Sequence, residues 1–149
     1  MKTFSILTGV LLVALLCSLP AVAADHESLN GSWALATDQS NFAGQTPMQA
    51  GTITISQENG TVRVARSFRY GDAGEEVFYR DITESPNNTP VREGELKSET
   101  SWNNDVLKVD TVRDGRNVVE TYSLAPNGNL IVTVTRGNEK PSTLVFTRK

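Results

Sequence analysis

From Asn30 onward the chain alternates apolar and polar residues in short runs, and no stretch of a dozen residues carries a helical stripe. The runs span 29–35, 51–57, 61–69, 75–82, 95–102, 106–113, 117–124, 129–136 and 142–148. Asn59-Gly60, Asp114-Gly115 and Asn127-Gly128 separate neighbouring runs with dipeptides that accept positive φ, as tight hairpin turns require. Asn103-Asn104-Asp105 and Arg136-Gly137-Asn138 serve the same purpose. Hairpin following hairpin is an up-and-down meander. Residues 83–90, with Pro86 and Pro90 flanking Asn87-Asn88, read as a longer loop. The longest connection, 36–47, has room for one helical turn.

Counting every second residue sorts the strands into two faces. One face collects Ile53, Ile55, Val62, Val64, Phe68, Phe78, Ile82, Leu96, Trp102, Leu107, Val109, Val118, Tyr122, Leu124, Leu130, Val132, Val134, Leu144 and Phe146. The other carries Thr52, Thr54, Arg63, Ser67, Arg69, Lys97, Glu99, Lys108, Asp110, Thr121, Thr133 and Thr135. An all-β, antiparallel meander of about eight to nine strands with one oily side buries it by closing into a barrel, which also removes exposed edges. Three charges interrupt the apolar face: Arg66, Arg80 and Glu120. Unpaired buried charges are costly. Two readings stay open. Either Arg66 or Arg80 receives the anionic head of an amphiphile, or a bulge turns them outward or Glu120 neutralises one of them.

The first 24 residues carry a different pattern. Lys2 precedes an apolar run over 6–19, Pro20 breaks it, and Ala21-Val22-Ala23-Ala24 offers a small-residue cleavage site after Ala23 or Ala24. This reads as a secretory signal, implying a secreted or periplasmic product with no stable membrane anchor after cleavage. Cutting 24 of the 149 residues leaves 125, enough for one modest core, so residues 25–149 are expected to form a single domain. Cys17, the only cysteine, lies in the leader behind Ala14-Leu15-Leu16, unlike a lipid-attachment site with a small residue before the thiol. The mature chain therefore has no disulfide or thiolate chemistry, and with His26 as its only histidine no His/Cys zinc site. His26 is expected to be a solvated tail residue.

Of the 14 Lys and Arg residues only Lys2 is in the leader, leaving 13 against 17 acidic residues and a mature charge near −4. That balance, without a basic stripe, excludes a nucleic-acid surface.

Leu29-Asn30-Gly31-Ser32-Trp33 opens the first strand and Phe146-Thr147-Arg148 closes the last. This pairing resembles the lipocalin-like, or calycin, superfamily, in which a Gly-x-Trp motif opens the first strand and a late Arg packs across the Trp to close the barrel. The resemblance implies a lipocalin-like barrel with Gly31, Trp33 and Arg148 as its closure. Together with Asp38, Ser40 and Phe42 in an Asp-x-Ser-x-Phe segment, the whole also looks like small exported bacterial β-barrel proteins. The Thr-Asp-Tyr signature and cysteines of typical lipocalins are missing, as is the Arg-x-Tyr pair of intracellular fatty-acid binders, so no specific lipid is implied.

Catalysis has little to work with. A Ser-His-acid or Cys-His arrangement has no usable histidine or thiol. Glu75-Glu76 and Glu93 with Glu95 lie in turns or at strand ends. Gly71-Asp72-Ala73-Gly74 is too short and acidic for a phosphate cradle, and the acidic runs near Asp72 and Asp105 lack EF-hand spacing. The expectation is a non-catalytic barrel, with no metal or cofactor, that binds a small apolar or amphipathic ligand through Arg66, Phe68, Phe78, Arg80 and Tyr122. The alternative is a packed barrel acting through its outer surface on an envelope protein, or as an inhibitor of a secreted enzyme.

Overall fold

A computed structural model describes residues 26–72, 75–86, 91–93, 96–113 and 115–149. Its strands are β1 Gly31–Leu35, β2 Met48–Glu58, β3 Thr61–Asp72, β4 Glu75–Pro86, β5 Val91–Glu93, β6 Leu96–Asn103, β7 Val106–Arg113, β8 Arg116–Leu124, β9 Leu130–Arg136 and β10 Ser142–Arg148. They form one antiparallel sheet in the order β4-β3-β2-β1-β10-β9-β8-β7-β6-β5. The short β1 joins the two halves, with Trp33 opposite Ile53 on one side and Arg148 on the other. β4 and β5 are the free ends of the ladder, and β4 runs alongside β6 without pairing to it. The result is a nearly closed calycin-like barrel.

Hairpin chemistry sets the register. Asn59 and Gly60 both take positive φ, 49° and 75°, and the two-residue loop they make leaves Glu58 paired with Thr61 and the long β2–β3 ladder in phase. Inward positions then follow by alternation. Ile53, Ile55, Val62, Val64, Leu107, Val109, Leu130, Val132, Val134, Leu144 and Phe146 are buried in one continuous core with Leu29, Trp33 and Tyr122. Leu124, at the end of β8, keeps 39% of its surface exposed.

Several expectations change. All nine expected runs form strands, and among the described residues a short tenth, Val91–Glu93, pairs with β6; three residues are too few to show a period. Residues 83–86 extend β4 instead of starting a loop, and Pro86 is tolerated because β4 is an edge strand. The register of β4 is one residue from that expected. Thr83 is buried opposite Val64, whereas Ile82, expected inside, is 55% exposed. A one-residue slip exchanges every side chain between faces. Residues 36–47 do contain a helical turn, a 3-10 helix at Thr37–Gln39. His26 is not a solvated tail residue: its ring stacks on Trp102 with centroids 4.0 Å apart and planes 13° from parallel.

Candidate functional site

The barrel has one sealed end and one open end. At the sealed end a 3-10 turn, Glu27–Leu29, crosses beneath the sheet and buries Leu29 completely. Trp33 is fully buried beside it and donates its indole N–H to the Leu29 carbonyl at 3.0 Å. Arg148, directly opposite Trp33 in the ladder, lays its guanidinium 4.3 Å from the Trp33 ring centroid. That guanidinium donates to the carbonyls of Asn30 at 3.0 Å and Ser28 at 3.2 Å, which lashes the crossing segment to the last strand. Gly31 makes this approach feasible. Its φ is +136°, and a Cβ there would lie 2.8 Å from the Arg148 Nη1. Gly31, Trp33 and Arg148 thus meet in one closure.

Away from this plug the inner wall loosens step by step along β7 and β8. Leu107 and Tyr122, paired near the sealed end, are fully buried. One rung on, Val109 is still buried, but its partner Glu120 has a side chain 14% exposed. Beyond them the inward pair Thr111 and Val118 is partly exposed, and Arg116 at the rim is exposed. The gradient marks interior space opening toward the end where β2, β8 and β10 begin.

At that mouth lies a pocket of about 210 Å³, lined by apolar Phe42, Met48, Tyr70, Val134 and Leu144 and by polar Gln45, Arg136 and Ser142. The connection between β1 and β2 is fastened across one side of it. Asn41 bridges to Thr143, the Ser142 hydroxyl donates to the Phe42 carbonyl at 3.1 Å, and the Ser40 hydroxyl donates to Ala36 while accepting from the Val145 N–H. The Asp-x-Ser-x-Phe segment is thereby explained: Ser40 anchors the connection to β10, and Phe42 reaches the pocket. Gln45 then ties the rim together, accepting from Arg136 and donating to Glu139 at 2.9 Å. A shallower groove of about 790 Å³ shares Arg136 and continues past Arg116 and Val118.

The barrel's middle is polar on one side. Arg66 on β3 is buried and uses its donors in several directions: Nε to the Tyr122 hydroxyl at 3.0 Å, Nη1 to the Thr83 hydroxyl at 3.0 Å and the Val64 carbonyl at 3.3 Å, and Nη2 to the Glu120 carboxylate. The Tyr122 hydroxyl donates to the same Glu120 oxygen at 2.8 Å. The Arg66 guanidinium carbon stands 5.9 Å from the Tyr122 ring centroid. Burial pushes the Tyr122 phenol well above the usual tyrosine range, and the neighbouring Glu120 charge reinforces that against the opposing pull of Arg66. On β6 the inward Ser98 and Thr100 are also buried, so this wall is hydroxyl-rich where the β9–β10 wall is apolar.

The expected ligand-binding residues fall into three groups. Arg66 and Tyr122 come together, with Glu120 between them. Phe68 lies apart, packed over Gly51, whose Cβ would sit 2.7 Å from the Phe68 ring, and 6.4 Å from Phe146 centroid to centroid. The side chains of Phe78 and Arg80 lie outside the described residues; their backbone pairs with Arg69 and Ser67 rather than with the inward Phe68 and Arg66. The mouth residues Gln45, Met48, Tyr70 and Arg136 escaped the sequence reading. Their one signal was the unusual length of the 36–47 connection. Among the described residues no three His, Cys, Asp or Glu side chains converge as a metal site would require.

No protein-family model matches the chain. No curated protein matches it by sequence. Among solved structures it is similar to the fluorescent protein UnaG, at 19% identity with 83% of this chain and 98% of that one covered and a TM-score of 0.61. It is similar as well to a Schistosoma mansoni fatty acid binding protein in complex with arachidonic acid, at 16% identity, 83% and 98% coverage and a TM-score of 0.61. A third is the apo form of Caenorhabditis elegans lipid binding protein 8, at 12% identity, 83% and 96% coverage and a TM-score of 0.59. At these identities the likeness is one of fold: the chain shares the calycin-like β-barrel with all three.

Proposed function

We propose that the protein is an exported, non-catalytic barrel that holds one small apolar or amphipathic molecule, admitted through the mouth between Phe42, Met48, Tyr70 and Val134. The observation that carries this reading is the graded inner wall. A barrel packed solid with side chains has no reason to leave the inward Thr111, Val118 and Glu120 partly exposed, whereas a barrel that admits a guest needs that space. The mouth pocket adds an apolar lining with a few polar groups on one rim, the usual composition of a small-molecule site. The neighbouring folds include a protein in complex with arachidonic acid and a lipid binding protein, which supports the same guest class. Export is supported by the leader pattern of Lys2, the apolar run and the Ala-rich site.

One experiment addresses both parts. Native mass spectrometry of the protein isolated from its natural source is expected to show a chain beginning at Ala24 or Asp25 with one lipid-sized molecule bound non-covalently. A chain still beginning at Met1 overturns export, and a uniformly empty barrel that also fails to take up the neutral dye Nile red overturns the carrier role.

A further inference from the structure

The charge arrangement inside the barrel limits which guests it accepts, and this inference rests on the carrier reading above. Arg66, the buried guanidinium at mid-height, already has a carboxylate. Glu120 reaches it from β8 on the opposite wall, and Tyr122 braces the pair through its own hydrogen bond to the same oxygen. The remaining donors of Arg66 are directed at Thr83, Val64 and Tyr122.

A fatty-acid head brought to this place would meet a guanidinium already neutralised and a carboxylate of its own sign, both in surroundings poor in water. Like charges held close at such a site disfavour one another strongly. A neutral head with an O–H behaves differently. Glu120 takes its two hydrogen bonds on one carboxylate oxygen, Oε2. The second oxygen is a further acceptor on a side chain that is 14% exposed and paired in the ladder with the inward Val109. A hydroxyl donor entering from the mouth can hydrogen-bond to it.

We propose that Glu120 fills the place of a ligand carboxylate, so that the barrel selects neutral, hydroxyl-bearing amphiphiles such as fatty alcohols and discriminates against carboxylate-bearing ones. The rim cation Arg136 does not reverse this preference, because it is engaged by Gln45 at the solvent edge, where salt screens its pull on an anion.

The test is displacement of Nile red by oleyl alcohol and by oleate at about 0.15 M salt, a strength that screens charges over about 8 Å, in the wild type and in Glu120→Gln. The wild type is expected to bind oleyl alcohol at least about tenfold more tightly than oleate. In Glu120→Gln, which keeps the side-chain shape but removes the carboxylate charge from the guest's path, the alcohol-to-oleate affinity ratio is expected to fall at least about tenfold, as removal of a like charge from a buried site dictates. Wild-type protein that binds oleate as tightly as the alcohol overturns the inference and leaves the carrier reading standing, as does an alcohol-to-acid ratio that Glu120→Gln does not move. If neither lipid nor Nile red binds the wild type, the carrier reading falls and this inference with it. The wild-type ratio needs no variant, so a poorly folding Glu120→Gln does not shelter the proposal.

Discussion

Arg148 and Arg66 are each set against an aromatic ring, and they are stabilised in opposite ways. Arg148 lies 4.3 Å over Trp33 at the sealed end, exposed to solvent, and its hydrogen bonds go to the backbone carbonyls of Asn30 and Ser28. Arg66 lies 5.9 Å from Tyr122 at mid-barrel, with only 3% of its side chain exposed, and its partners are a carboxylate, two hydroxyls and a carbonyl. Water solvates the first guanidinium, so neutral acceptors suffice. The second has left water, and Glu120 meets its charge there with a carboxylate. One arginine fastens chain segments together; the other fixes the electrostatic character of the interior.

The two sites therefore respond very differently to loss of their cation. Arg66→Ala leaves Glu120 without its counter-charge and is expected to destabilise the fold by about 3–5 kcal/mol, whereas Arg66→Met combined with Glu120→Leu restores most of the loss. Chemical denaturation of the three proteins checks this, and a double variant no better than the single one would break the pairing. Tyr122→Phe comes next, at about 1–3 kcal/mol near neutral pH, because Arg66 and Glu120 each lose a hydrogen-bond partner. The raised phenol pKa gives this effect a pH signature. The contribution is complete below about pH 10, where the unfolded chain also keeps its proton, and it is lost as pH climbs through the raised native value. The stability gap between wild type and Tyr122→Phe should therefore narrow above about pH 10, as read from denaturation curves taken from pH 8 upward. The smallest effect belongs to the sealed end: Arg148→Met should cost about 0.5–1 kcal/mol, the worth of a partly exposed cation–π contact. Gly31→Ala, which drives a methyl toward the Arg148 Nη1 and strains a positive φ, should exceed it in the same denaturation curves.

Much of this architecture is written in strongly periodic segments. In β3, β7, β9 and β10 the buried apolar residues share a single parity, and turn dipeptides such as Asn59-Gly60 fix where each hairpin reverses. β4 resists the same reading because Val77, Phe78, Tyr79 and Ile82 put apolar residues on both parities. Its pairing with β3 decides the matter, and Thr83 rather than Ile82 goes inside. Arg66 and Glu120 stand out in sequence as charges on an oily face, yet their meeting depends on closure: β2, β1, β10 and β9 stand between their strands in the sheet. The mouth pocket is harder still to foresee. It arises when residues 36–47 dock on β10 through Ser40, Asn41 and Phe42, contacts that no local periodicity encodes. The stacking of His26 on Trp102 belongs to the same class of long-range contact.

The ladder that begins at β4 and ends at β5 makes this wall a split ring. A hoop with every rung joined can widen only by breaking backbone hydrogen bonds, but one with a seam can spring apart there and sacrifice only side-chain packing. Under the carrier reading, girth would answer to the contents as well as to the frame, while the plug under Trp33 keeps the far end shut.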